Sequence, residues 1–247
     1  MGPPASGLKR GQFRMGVDFS HGEMDLELRN GVWAESIDGV FFDSGDATTF
    51  TLKDFEINRD YANFGFGLTN NLEVFLRMGG TEGNFGDSLW EDEEEFESSS
   101  DLAVGGGIKV TFIEAGGFKL GGLFQASWAA FDGQLYAPHW AAADFVQVDI
   151  TEVQIAVGPS YTWADRISIY GGPFFHFVGG DLYDTFSEVD TGGGLLTSEY
   201  AWQIDEDSVF GAYFGLQLYL IGGCSFNVEY QRTAAADAFG ASLMCRF

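Results

Sequence analysis

The chain has few cysteines, histidines, prolines and cationic residues, and it has no long apolar run. Its 247 residues include 2 Cys, 3 His and 5 Pro, and 12 Lys and Arg stand against 37 Asp and Glu. Because no uncharged apolar run reaches about 18 residues, a transmembrane helix is excluded. The formal net charge of −25 argues against nucleic-acid binding, since contacts to phosphates need basic patches.

Alternating apolar residues are abundant instead. The chain is 45% hydrophobic and contains 35 Gly. Its last nine residues alternate strictly from Phe239 to Phe247. Because strand side chains repeat every two residues, this segment is predicted to be a strand with one apolar face. Residues 64–78 contain two further strands of this kind, joined by a turn at 69–71.

The same alternation predicts about ten strands in all. In the segment 146–163 the apolar set that is expected to face outward shifts, because Val146, Val148 and Ile150 occupy even positions whereas Val153 and Val157 occupy odd ones. One inserted residue would produce that shift, so we expect a β-bulge at 150–152.

The predicted connections alternate between short and long. The short ones lie near residues 70, 116, 164 and 222. The long ones cover roughly residues 30–50, 86–101, 132–145 and 183–206. Membrane barrels have short turns on one side and long loops on the other, whereas a soluble β-sandwich has no reason to sort its connections in this way.

The terminal aromatic strand and the segment Gly67–Val74 (GLTNNLEV) resemble those of small, porin-like bacterial outer-membrane β-barrel proteins. The resemblance implies a closed, antiparallel, up-and-down transmembrane β-barrel of about ten strands over residues 11–247, although eight or twelve also fit. Residues 1–10 would be a flexible segment of a mature chain whose signal peptide has been removed. The alternative is a soluble β-sandwich or a lipocalin-like barrel.

The resemblance also implies a location and partners. The chain would contact outer-membrane lipid, and the barrel-assembly machinery would read a signal that includes Phe239, Leu243 and Phe247. The acidic run Glu91–Glu97 fits a solvated tip of an outer loop. The alternative is that such loops attract divalent cations or favour cation entry.

Alternation assigns a second set of residues to the interior of the barrel. The lumen-lining residues are expected to be Arg14, Asp18, Glu73, Arg77, Lys109, Lys119, Glu152, His176, Tyr213, Tyr219, Glu229 and Arg246. Because buried charges are tolerated when they are paired, this mixture predicts an interior plugged by salt bridges. A narrow water path is the competing interpretation, since ten strands enclose more space than eight.

No motif points to catalysis, a cofactor or a metal. The glycine groups lack the Lys-Ser/Thr of a phosphate-binding loop, and Asp43–Asp46 is too short for a calcium loop. We therefore expect a protein that is not an enzyme. The less favoured alternative is an outer-rim hydrolase using His21, which follows Ser20 and lies near Asp18 and Glu23 in the sequence.

The two cysteines lie on the last predicted hairpin. A turn centred on Ala234 and Ala235 places Cys224 opposite Cys245, within reach of a disulfide in the oxidising periplasm. Because both side chains would face lipid and directly cross-strand disulfides are often strained, two free thiols fit equally well.

The sequence thus predicts a porin-like or structural outer-membrane barrel whose acidic outer loops favour cations. A surface binding module acting through the long loops 30–50, 86–101 and 183–206 is the alternative. The sequence does not set the oligomeric state, the pore size or a permeant solute.

Overall fold

A computed structural model describes residues 2–86, 95–136, 143–189, 192–206 and 209–247, and nearly all of them lie in antiparallel strands. The strands are β1 (Phe13–Ile37), β2 (Val40–Asp46), β3 (Phe50–Gly67), β4 (Leu72–Gly86), β5 (Glu95–Ser98), β6 (Asp101–Ala115), β7 (Phe118–Tyr136), β8 (Ala143–Trp163), β9 (Ile167–Val189), β10 (Leu195–Glu206), β11 (Phe210–Tyr219), β12 (Cys224–Arg232) and β13 (Ala236–Arg246). A single 3₁₀ turn spans Ile221–Gly223. Among the residues that the structure describes, no helix has the length and apolar character needed to cross a membrane.

One end of the molecule is a closed ring of ten strands. Its members follow the order β1, β3, β4, β6, β7, β8, β9, β11, β12 and β13. Closure is between β13 and β1, in a register that runs from Arg14 opposite Arg246 to Met24 opposite Ala236. The predicted closed, antiparallel barrel of about ten strands is therefore confirmed.

The other end is a second ring with eight strands. Here β5 takes the place of β6 between β4 and β7. The single strand β10 takes the place of β11, β12 and β13, because it pairs with β9 on one side and with β1 on the other. The upper part of β1 also forms a hairpin with β2.

We call the eight-stranded end the collar and the ten-stranded end the lower barrel. The collar comprises residues 23–58, 81–86, 95–98, 129–136, 143–151, 178–189 and 195–206. The lower barrel comprises residues 13–22, 59–80, 101–128, 152–177 and 210–247.

The collar contains strands where the sequence predicted loops. The intervals 30–50 and 183–206 are largely the upper parts of β1 and β9, together with β2 and β10. The tight connections near residues 70, 116, 164 and 222 all lie at the open end of the lower barrel, as predicted. Most of the acidic run at 91–97 lies outside the described residues.

The expected β-bulge at 150–152 is wrong. β8 keeps one continuous register with β7 and with β9 through this region. Even-numbered residues of β8 face inward throughout, from Val146 down to Ser160. The apolar set changes position because the interior itself changes, from apolar in the collar to polar in the lower barrel.

Candidate functional site

The outer face of the lower barrel is an apolar belt. Large apolar side chains point away from the interior on all of its strands, among them Phe13, Phe19, Phe64, Leu76, Phe112, Phe124, Ile155, Phe177, Phe214, Phe226 and Leu243. On β8 the belt runs from Val153 to Trp163, and about 9–11 residues of tilted strand cross a bilayer. A closed barrel with such a belt satisfies its backbone hydrogen bonds inside lipid.

The N-terminal segment lies inside the lower barrel, near its open end. Ala5, Ser6 and Leu8 are buried. The Gly7 amide donates to Glu73 Oε2 at 3.0 Å, and the Gly2 amide donates to Glu229 Oε2 at 3.0 Å. Residues 2–8, which the sequence analysis treated as part of a flexible segment, are thus packed against the lumen wall.

Glycine makes room for this segment. An added Cβ at Gly121 would lie 2.4 Å from the Cα of Ala5, and one at Gly67 would lie 2.0 Å from the carbonyl oxygen of Lys9. Contacts that short require the backbone to move. The segment therefore fits a groove that two glycines of the wall leave open.

Charged side chains of the lumen wall are held by ion pairs and hydrogen bonds around the N-terminal segment. Arg14 forms an ion pair of 2.7 Å with Glu73, and Asn63 donates to Asp18 at 2.8 Å. The Lys109 ammonium donates to the carbonyl oxygen of Pro3 at 3.0 Å. Buried charges are tolerated where they have such partners.

A second charged group lies where the lower barrel meets the collar. Glu152 binds Arg59 in an ion pair and lies 3.6 Å from His176 Nε2. His176 Nδ1 lies 3.0 Å from Glu206 at the end of β10. His176 thus links Glu152, the first inward residue of β8 below the collar core, to Glu206 on β10.

Two tyrosine rings and Arg77 complete the polar interior. Tyr213 lies across Gly158, whose added Cβ would be 2.6 Å from the tyrosine hydroxyl, and Tyr170 lies across Gly215. Arg77 lies with its guanidinium carbon 4.8 Å from the ring centroid of Tyr61 and donates to Ser127 at 3.2 Å. The lumen wall is therefore covered by side chains.

The collar interior is apolar. Its most deeply buried side chains are at most 3% exposed and come from all eight strands: Leu26, Leu28, Leu52, Phe55, Phe85, Phe96, Phe131, Val146, Val148, Ile150, Leu182 and Ile204. Phe55 stacks on Phe131 with ring centroids 5.8 Å apart. This packed core blocks the barrel axis on the side opposite the tight turns.

Three cavities lie along the lumen of the lower barrel. One of about 370 Å³ lies at the open end, and those of about 90 and 80 Å³ lie farther in. A few water molecules fill a cavity of the smaller size. The cavity of about 370 Å³ is thus on the side of the tight turns, and the collar core closes the opposite side.

The structure distributes the twelve predicted lumen residues between these levels. Lys119, Tyr219 and Arg246 line the large cavity at the open end, together with Arg14 and Lys109. Asp18, Arg77 and Glu229 line the next cavity. Glu152 and His176 line the cavity below the collar. The two remaining residues, Glu73 and Tyr213, are buried in the wall between them.

Cys224 and Cys245 lie directly opposite each other on β12 and β13. They form a disulfide with a Cα–Cα distance of 3.9 Å. Phe239, Leu243 and Phe247, the residues assigned to the assembly signal, form a row on the outer face of the barrel end.

Polar and charged side chains lie on the outside of the collar, beside exposed apolar ones such as Val32 and Phe145. Arg29 binds Glu27 and lies 3.4 Å from Asp205, and its hydrogen bond holds the pKa of Glu27 below the ordinary value. Burial raises the pKa of the Tyr200 hydroxyl. Burial raises the pKa of Glu23, and a hydrogen bond with Asp54 and the charges of the neighbouring carboxylates raise it further.

The histidine considered for hydrolysis contacts a side-chain amide. His21 Nδ1 lies 2.9 Å from the side-chain oxygen of Asn58 on the exposed surface. Across the residues that the structure describes, no three His, Cys, Asp or Glu side chains are grouped so as to hold a metal ion.

Two functional elements escaped the sequence reasoning. The collar core was missed because Val146, Val148 and Ile150 were assigned to the lipid-facing side. The packed N-terminal segment was missed because residues 1–10 are polar and short. The inward positions of Gly67 and Gly121 are the sequence signal that a chain segment approaches the wall there.

No protein-family model and no curated protein sequence matches the chain. Among solved structures it is similar to the translocator domain of the autotransporter NalP from Neisseria meningitidis, with 11% identity, a TM-score of 0.46, and 98% of this chain and 90% of that chain covered. It is also similar to the outer-membrane protease OmpT from Escherichia coli, with 12% identity, a TM-score of 0.45, and 94% of this chain and 97% of that chain covered. A third similar structure is the outer-membrane protein OprG from Pseudomonas aeruginosa, with 12% identity, a TM-score of 0.45, and 84% of this chain and 97% of that chain covered.

At these identities the comparisons concern the fold alone. The closed barrel and the apolar belt of the chain itself assign it to the bacterial outer membrane, as the sequence predicts.

Proposed function

We propose that the chain is a structural outer-membrane barrel, closed along its axis, that holds a rigid collar above the membrane surface. The observation that carries this proposal is the collar core, one apolar cluster that includes Leu28, Phe55 and Phe131, each with at most 1% of its surface exposed. An open porin needs a polar, hydrated path at this level. The porin-like alternative is therefore less favoured than the structural one.

Conductance in planar bilayers tests this proposal. Protein whose folding has been verified by heat-modifiable gel migration is expected to give no discrete current steps, because the collar core excludes water and ions. Cation-favouring steps that recur in replicate membranes would instead support the porin-like function.

A second candidate function is binding at the outer surface. Its support is the tip of the β1–β2 hairpin, where Val40, Phe41 and Phe42 are 70%, 67% and 64% exposed. Exposed apolar patches above the membrane are typical of sites that contact a partner. Replacing Phe41 and Phe42 with Ser is expected to reduce attachment of cells to a target surface. Attachment that stays the same would eliminate this candidate.

We also propose that the acidic outer loops attract divalent cations near the lipid phosphates. The support is the net charge of −25 together with the acidic run Glu91–Glu97, because concentrated carboxylates create a negative potential that attracts cations. Adding Ca²⁺ is expected to raise the unfolding temperature of the parent protein more than that of a variant in which this run carries Gln and Asn. Equal shifts in both proteins would argue against this role.

A further inference from the structure

The large cavity at the open end of the lower barrel gathers cations in a strongly acidic chain. Four of the 12 Lys and Arg line it, namely Arg14, Lys109, Lys119 and Arg246. Asp165 lines it with them, and two of the cations are in ion pairs, Arg14 with Glu73 and Lys119 with Glu114. In a chain with a net charge of −25, four cations around one cavity still concentrate positive charge and favour an anion.

Two of these cations lie directly opposite each other. Arg14 on β1 pairs in register with Arg246 on β13, and both side chains line the cavity. Like charges at directly opposed positions of a ladder destabilise the sheet. Arg14 is neutralised in part by Glu73 at 2.7 Å. An anion between the two guanidinium groups would relieve the remaining repulsion.

The cavity also presents hydrogen-bond donors. Arg14 Nε is buried and has no hydrogen-bond partner among the residues that the structure describes. The hydroxyl-bearing residues Ser160, Ser168 and Ser225 line the same cavity and are themselves buried. Guanidinium and hydroxyl donors that converge with ammonium groups match the several acceptor oxygens of a phosphate group.

The size and position of the cavity restrict what enters it. Its volume of about 370 Å³ accommodates a small anion, such as a phosphomonoester or a diphosphate. Its mouth lies among the tight turns, the side that faces the periplasm in barrels of this class. The collar core closes the opposite route, so a ligand reaches the cavity from the periplasmic side.

We propose that this cavity is a binding site for a phosphate-bearing anion that enters from the periplasmic end of the barrel. The anion lies between Arg14, Arg246 and Lys119. Its phosphate belongs either to a free solute or to the headgroup of an inner-leaflet lipid, and both sources use the same donors.

Binding of pyrophosphate to the full chain tests the proposal. In uncharged detergent at low ionic strength, isothermal titration calorimetry is expected to give a dissociation constant below about 1 mM that rises with added salt. The variant K119Q/R246Q is expected to bind at least about tenfold more weakly, because it lacks two charge-assisted contacts. R29Q/K53Q removes two cations from the collar and is expected to bind as the parent does.

A lipid arm distinguishes the two sources. In nanodiscs containing phosphatidylglycerol, ³¹P NMR would detect a bound headgroup in the parent protein and its loss in K119Q/R246Q. A result in either arm that depends on these two residues supports the site. If neither pyrophosphate up to about 10 mM nor the anionic lipid distinguishes the parent from K119Q/R246Q, with both proteins folded by gel migration, the proposal is overturned.

Discussion

Ile150 and Glu152 are two residues apart on β8 and point into the same interior, yet they lie in opposite environments. Ile150 is buried in the apolar core of the collar, whereas Glu152 binds Arg59 and lies beside His176. On the outer face the order is reversed, because polar Asp149 and Thr151 precede apolar Val153 and Ile155. The medium around the barrel thus changes at the level of these two residues, from water around the collar to lipid around the lower barrel.

The collar core is expected to behave like the core of a water-soluble protein. Phe131→Ala removes a ring that stacks on Phe55, and such truncations cost about 3–5 kcal/mol. Limited proteolysis is expected to cut the collar faster in this variant while the lower barrel resists.

Phe177→Ala provides a matched control on the outer face of the lower barrel. It opens no cavity in the core, so collar cleavage is expected at the parent rate. Equal cleavage rates in F131A and the parent would show that the collar does not depend on an apolar core.

The charged group beneath the collar is expected to be sensitive to loss of its central carboxylate. Glu152→Gln leaves Arg59 and His176 without their shared partner, and breaking a buried pair costs about 3–5 kcal/mol. Urea unfolding in lipid vesicles measures this loss. Glu114→Gln, in a surface pair with Lys119 at 3.3 Å, is expected to change stability by less than about 1 kcal/mol. Similar losses in the two variants would contradict the account of the network.

The terminal aromatic residue is expected to affect assembly more than stability. Phe247 directly follows β13 and is the last of the outward-facing residues Phe239, Leu243 and Phe247. The resemblance implies that the assembly machinery recognises it. Phe247→Ala is expected to reduce the fraction of heat-modifiable protein in the membrane of expressing cells. Phe112→Ala, which also exposes less apolar surface to lipid, serves as control. A parallel decrease in both variants would indicate a general loss of lipid contact and would argue against a terminal signal.

The disulfide is expected to leave no free thiol. Cys224 and Cys245 are the two cysteines of the chain, and they are joined to each other. Mass spectrometry after alkylation without reductant is expected to show an unmodified chain, and two alkyl groups should appear after reduction. Alkylation without reductant would mean that the thiols are free in the membrane.

Period-two alternation was enough to predict the closed barrel, its number of strands and the inward side of the lower strands. It identified Glu73, Lys109 and Glu152 as inward because these residues sit between lipid-facing ones. It failed in the collar because the rule that apolar side chains face outward is reversed there, so Val148 and Ile150 were placed on the wrong face. Alternation marks two faces and does not say which face meets water.

Two other features depend on contacts between distant parts of the chain. The course of residues 2–8 follows from their fit to Gly121, Glu73 and Glu229, which no local pattern links to the N-terminal segment. The replacement of β11, β12 and β13 by β10 follows from the pairing of β10 with β1. Such pairings are fixed by tertiary packing rather than by local sequence.

Cysteine accessibility along β8 tests the change of environment most directly. Single cysteines at positions 147, 149, 151, 153, 155 and 157 would be placed in a C224S/C245S background, reconstituted in lipid vesicles and treated with a water-soluble maleimide. The account predicts rapid labelling at 147, 149 and 151 and protection at 153, 155 and 157, with the protected positions quenched by nitroxide lipids when they carry a fluorophore. Labelling at 153, 155 and 157 as fast as at 147 would contradict it.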